Sequence, residues 1–171
     1  MSLVGFRAQN HPQQTVRDDV DDRRTTPDLL AECAELAGVD SFDLDVAASA
    51  ENAKAAQWFD VHANGLARPW VGNVWCNPPY SNVAAWVEKA WDEVTLNPLC
   101  GTVAMLLPAN RTEQAWWQLH VEPHRDGRGL PLDVHFLAGR RRFERPGWTK
   151  PTKGDRPPFG LVLLVWKGLA S

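Results

Sequence analysis

Two apolar periods alternate along this chain, short runs that predict strands and a three-to-four spacing that predicts helices. Thr25-Thr26-Pro27-Asp28 opens the first helix, with Thr26 as N-cap and Pro27 at the first helical position. Leu29, Leu30, Cys33 and Leu36 supply its apolar face, and Gly38 ends it. Residues 42–47 read as a short strand ending at acidic Asp45 and a small-residue turn, and residues 57–60 as another. Residues 73–76 form a further strand that must stop at Asn77-Pro78-Pro79-Tyr80, because neither proline can continue a sheet ladder.

Ser81 is expected to cap the next helix, whose apolar face is Val83, Trp86, Val87, Ala90, Trp91 and Val94. A strand over 102–107, a helix over about 112–121 and a strand over 134–137 follow. After a Pro/Gly/Lys-rich loop, residues 161–166 are apolar on both faces, as in an interior strand. Strand and helix alternate through most of the chain, so the class is α/β with a mainly parallel sheet. Residues 1–23 are polar and aperiodic and read as a disordered lead-in; residues 24–171 read as one domain.

Composition narrows the setting. No stretch approaches the length of about 20 apolar residues that spans a bilayer, and the polar N-terminus lacks a signal-type apolar core, so a cytoplasmic protein is expected. Cys33, Cys76 and Cys100 are widely spaced with no CxxC pair, so the expectation is buried thiols, with no disulfide framework and no metal site. The formal net charge of −3 conceals an asymmetry: residues 1–100 carry 7 Lys/Arg against 15 Asp/Glu, a balance of −8, while residues 101–171 carry 11 against 6, a balance of +5. Arg140, Arg141 and Arg142, with Lys150 and Lys153 beyond them, form the densest basic stretch and are the expected contacts to a nucleic acid.

The strand-end loop Asn77-Pro78-Pro79-Tyr80 carries the most specific chemistry, since ligands of open α/β sheets bind beyond the carboxyl ends of the strands. An aromatic amine is a poor nucleophile with two N–H donors. The Asn77 side-chain oxygen and the Pro78 carbonyl can accept one each, favouring a rehybridised amine whose lone pair is aimed at an incoming methyl group. Pro78 and Pro79 stiffen the loop, and Tyr80 offers a ring face on which a flipped base can stack. Asp45, followed by small residues that include Ala47, suits close approach of a cofactor carrying an ammonium group. There is no GxGxxG dinucleotide fingerprint and no kinase-type P-loop. The loop alone leaves several planar amino substrates open: adenine N6, cytosine N4, an RNA guanine or a protein glutamine, beside a non-catalytic DNA-binding module.

Over about residues 24–166 the chain resembles the phage-type, Dam-like DNA N6-adenine methyltransferases. The resemblance runs through Thr26-Pro27, Phe42-Asp43-Leu44-Asp45-Val46-Ala47-Ala48, Asn52-Ala53-Lys54, Gly65-Leu66, Trp70 and Val74-Trp75-Cys76-Asn77-Pro78-Pro79-Tyr80. It continues through Trp86-Val87-Glu88-Lys89-Ala90, Leu106-Leu107-Pro108, Gly139-Arg140 and Phe143. It implies a Rossmann-like methyltransferase fold, usually of seven strands with the last antiparallel, and S-adenosylmethionine as cofactor. It further implies that Asp45 and Ala47 lie near the methionine moiety and that Thr26 and Pro27 cover the cofactor. The family usually has Asp before Gly65-Leu66, facing the cofactor adenine; here Asn64 stands there, keeping an acceptor but losing the charge. Asn52 and Lys54 fit the resemblance without an assigned role. DNA is the implied partner, with protection of phage DNA from restriction as the implied purpose, and the sequence leaves monomer and dimer open. With no room for a separate recognition domain, specificity is expected from loops of the basic half and for a short or loose site.

Overall fold

A computed structural model describes residues 24–143 and 157–171. The expected lead-in over residues 1–23, together with Lys150 and Lys153, lies outside the described residues. Helix α1 (Pro27–Ala37) begins where expected: the Thr26 hydroxyl accepts from the Leu29 N–H at 3.4 Å, and Gly38 closes the helix at φ 68°. Its buried stripe is Leu29, Cys33, Ala34 and Ala37; Leu36 faces outward instead.

Strands β1 (Leu44–Asp45), β2 (Gln57–Trp58), β3 (Gly72–Cys76), β4 (Cys100–Pro108), β5 (Leu132–Phe136) and β6 (Leu161–Lys167) form one sheet in the order β2-β1-β3-β4-β6-β5. The pairs β1–β2, β1–β3 and β3–β4 are parallel, and the last strand, β6, runs antiparallel between β4 and β5. The described sheet has six strands where the resemblance implies seven. Between β2 and β3 there are only residues 59–71, taken up by a loop and the 3-10 turn Gly65–Ala67, which leaves no length for a further strand and its crossover.

Alternation along the two central strands builds two layers. Val103, Met105 and Leu107 of β4 and Val162, Leu164 and Trp166 of β6 pack with helix α2 (Val83–Leu96) and the short α3 (Ala115–His120). The intervening Ala104, Leu106, Leu161, Leu163 and Val165 pack with α1, Leu137 and Phe143 on the other face. Trp166 leaves its indole N–H without a hydrogen-bond acceptor but sits edge-on to the Trp91 ring, centroids 5.9 Å apart. All three cysteines are buried, and burial pushes the Cys33 and Cys100 thiols up to about 12.

Two helix starts differ from expectation. Residues Tyr80–Asn82 wind a 3-10 turn before α2, so Ser81 does not cap it; the cap position is Asn82, with no side-chain bond. Likewise α3 begins at Ala115, because residues 111–114 close a turn through the Gln114 N–H to the Arg111 carbonyl at 3.2 Å. Among the described residues no helix is long and apolar enough to cross a membrane.

Candidate active site

The parallel register sets the site. Asp45 lies beside Trp75, and the Val46 N–H donates to the Trp75 carbonyl at 3.1 Å, so the turn after β1 and the Asn77 loop after β3 emerge from the same edge. Asp45 is only 3% exposed. Its carboxylate accepts from the Ala47 N–H at 3.3 Å and the Lys54 N–H at 3.0 Å, which folds residues 45–54 back over the strand end. Burial pushes its carboxyl up to about 6, against the lowering effect of those two N–H groups. Among the described residues Asp45 forms no ion pair closer than 4 Å. Asn52 and Lys54 thereby acquire roles: the Asn52 side chain accepts from the Ser49 N–H at 2.7 Å and closes the turn, while Lys54 contributes its backbone N–H to Asp45.

Asn64 is exposed beside this turn, with a left-handed φ of 55° that Asn and Asp tolerate better than most residues. Backbone shape is thus a second reason, besides any ligand contact, for an Asn or Asp at this place. Gly65 packs on the end of β1 so closely that a Cβ there would lie 2.1 Å from the Val46 carbonyl oxygen. Gly65→Ala should therefore push the turn off the strand and cost about 1–3 kcal/mol of stability. Denaturant unfolding checks this, and an unchanged midpoint would contradict the packing.

The same turn is tied to α2 through tryptophan. The Trp70 indole N–H donates to the Gly65 carbonyl at 2.9 Å, and its backbone N–H donates to the Glu93 carboxylate at 3.0 Å. Lys89 pairs with Glu93, and the Asn97 amide donates to it at 2.6 Å. Burial alone would raise the Glu93 carboxyl, but the bonds from Lys89, Asn97 and Trp70 outweigh it and hold the pKa below the usual carboxylate range.

Within the second loop Asn77 is half-buried, Pro78 buried and Pro79 exposed. The Asn77 amide nitrogen donates to the Thr25 hydroxyl at 3.2 Å, and the Tyr80 hydroxyl donates to the Asn77 side-chain oxygen at 3.1 Å. Tyr80 is 4% exposed, its ring edge-on to Phe159 with centroids 6.1 Å apart, so the face expected to receive a base is covered in this arrangement. Arg111, from the loop after β4, donates to the Tyr80 carbonyl at 2.5 Å.

Thr25 and Arg111 were not expected at the site. Thr26 and Pro27 lie next to it, but the Thr26 hydroxyl serves the helix cap and Pro27 is exposed. Only chain folding brings Thr25 to Asn77 across 52 positions and Arg111 to Tyr80 across 31. Of the three consecutive arginines, Arg140 and Arg142 are exposed, whereas Arg141 pairs with Glu32 of α1 at 2.7 Å. These residues leave the carboxyl end of β5 and cross to the α1 layer, where Phe143 is buried.

An open, mostly parallel α/β sheet thus carries an Asn-Pro-Pro-Tyr loop and a buried acidic turn side by side at its carboxyl edge, where ligands of such sheets bind. The family model for DNA N-6-adenine-methyltransferase (Dam) matches residues 13–167, and the chain belongs to that family. It is 40% identical over 78 residues to a DNA N-6-adenine-methyltransferase of Escherichia phage T1, a stretch covering 44% of this chain and 31% of that protein. It is 35% identical over 124 residues to a DNA N-6-adenine-methyltransferase of Haemophilus phage HP1, covering 72% of this chain and 66% of that protein.

Proposed function

We propose that this chain transfers a methyl group from S-adenosylmethionine to N6 of adenine in DNA, within a Rossmann-like methyltransferase fold. The observation that carries the reading is the Asn77 amide, anchored at the carboxyl end of β3 in a chain of the Dam family. The Asn77 oxygen accepts one N–H of the adenine amino group and the Pro78 carbonyl the other, which favours the tetrahedral amine and turns its lone pair outward. Pro79 keeps the loop stiff, and Tyr80 stacks on the flipped base once its ring face is uncovered, a contact worth about 1–3 kcal/mol.

The residues present fit the cofactor. A buried carboxylate at a strand end, with no ion pair among the described residues, suits an ammonium group, and the turn that follows it begins with small Ala47. Asp45 and Ala47 would hold the methionine end, Thr26 and Pro27 would cover it, and Asn64 would accept from the adenine amino group. When bound, S-adenosylmethionine supplies the electrophilic methyl group. Arg140 and Arg142, with Lys150 and Lys153, would meet the DNA backbone; Arg141 contributes less, its charge being shared with Glu32. The same reading places the protein in the cytoplasm of a phage-infected or prophage-bearing cell, protecting DNA from restriction by a short or loose recognition site.

The test offers the protein labelled S-adenosylmethionine with DNA, RNA and protein acceptors in parallel. Label is expected in DNA; label in RNA or protein, with DNA unlabelled, would overturn the substrate assignment.

A further inference from the structure

We infer that Thr25 is a positioning residue for Asn77, its hydroxyl holding the amide in the plane that presents the side-chain oxygen to the substrate amine. The inference rests on the reading of Asn77 as amine acceptor. An asparagine side chain is attached through rotatable bonds, and its oxygen and nitrogen ends have nearly the same shape but opposite hydrogen-bonding character. An amine with two N–H donors is served by one end and repelled by the other, so a loop that uses Asn here must restrain the amide from outside.

Among the described residues, two hydrogen bonds restrain the amide. The Tyr80 hydroxyl donates to the amide oxygen at 3.1 Å, but it belongs to the same loop and moves with it. The Thr25 hydroxyl accepts from the amide nitrogen at 3.2 Å and belongs to the segment preceding α1. That segment is itself anchored: Thr26 caps α1, and Leu29 and Cys33 are buried against the sheet. By accepting a hydrogen bond from the nitrogen, Thr25 points that end of the amide away from the substrate and leaves the second lone pair of the oxygen to accept. Arg111 also grips the loop, but it is partly exposed at the edge where DNA would lie. Thr25, by contrast, is 1% exposed, and its hydroxyl meets the Asn77 amide.

Thr25→Val keeps the shape and removes the hydroxyl. At saturating cofactor and DNA, kcat is expected to fall about 10–100-fold, the scale of a misplaced catalytic group. KM for DNA and cofactor affinity should stay within about threefold of wild type, and Thr25→Ser should restore most of the rate. A hydroxyl that merely docked the segment would instead weaken cofactor binding and leave kcat intact at saturation, which would overturn the inference, as would full activity in Thr25→Val. Should the valine variant not fold, the wild-type protein decides. The Asn77 side-chain amide, identified by NMR through its absence in Asn77→Asp, should show one slowly exchanging N–H; free exchange of both would overturn the assignment. Failure of the wild-type chain to methylate DNA would overturn the proposed activity itself, a result distinct from either.

Discussion

Asn77→Ala is expected to lower methyl transfer by about 100–1,000-fold, the loss found when one preorganised hydrogen-bonding group is removed from a reacting centre. Cofactor affinity should be nearly unchanged, because the cofactor is assigned to the Asp45 turn and not to this loop. The substitution also leaves the Thr25 and Tyr80 hydroxyls without this partner, and for buried Thr25 that costs about 1–3 kcal/mol. Activity must therefore be compared at a temperature where the variant is folded, with Asn77→Asp as control, since Asp retains an acceptor. A folded Asn77→Ala protein with near wild-type turnover would refute the acceptor mechanism.

The second large effect is a pH dependence of cofactor binding. Burial raises the Asp45 carboxyl to about 6, and its ionised form is the one that can pair with an ammonium group. As pH falls through that value the carboxyl takes up a proton that the ligand must displace, so affinity should drop about tenfold between pH 7 and pH 5, or about 1.4 kcal/mol. Stability of the unliganded protein runs the other way. The folded pKa lies above the unfolded value of 3.8, so the ionised carboxylate opposes folding above about pH 6, and that opposition is relieved as pH falls from 6 toward 3.8. Titration calorimetry and thermal unfolding across pH 5–8, with and without cofactor, check both signs. Asp45→Asn should weaken binding and remove its pH dependence; a binding curve flat from pH 7 to 5 in the wild-type protein would count against Asp45 as the ammonium partner.

What could be read from the sequence was whatever depends on neighbours along the chain. Thr26, Pro27 and Gly38 act locally, so both ends of α1 were legible. The run at 161–166 is apolar on both faces because β6 is an interior strand with a helix layer on each side; which strands flank it, β4 and β5, is set by long-range pairing. The proline pair stops β3 at Cys76 for the reason expected. Ser81 misled because the chain winds one 3-10 turn before α2, placing Asn82 at the cap. Glu93 lies on the buried face of α2, which no apolar pattern foretells; it is admitted because Trp70, Asn97 and Lys89 all bond to it, and Trp70 comes from 23 positions earlier.

For the candidate site, residue types were more legible than their partnerships. Asp45 and Asn77 stand out by type and strand-end position, and the register brings their loops to one edge. That Asp45 first organises its own turn, through the backbone of Ala47 and Lys54, and that Asn77 is held by Thr25, are facts of folding across the sheet. Tyr80 shows the limit in the other direction: its type marks a stacking platform, yet the folded chain covers its ring with Phe159 among others.

The most direct test is to incubate the protein with unmethylated DNA and methyl-labelled S-adenosylmethionine, digest the DNA to nucleosides and separate them. Label is expected in N6-methyldeoxyadenosine, incorporated about 100–1,000-fold more slowly with Asn77→Ala. Label in N4-methyldeoxycytidine, or none in any nucleoside from the folded, cofactor-binding protein, would contradict this expectation.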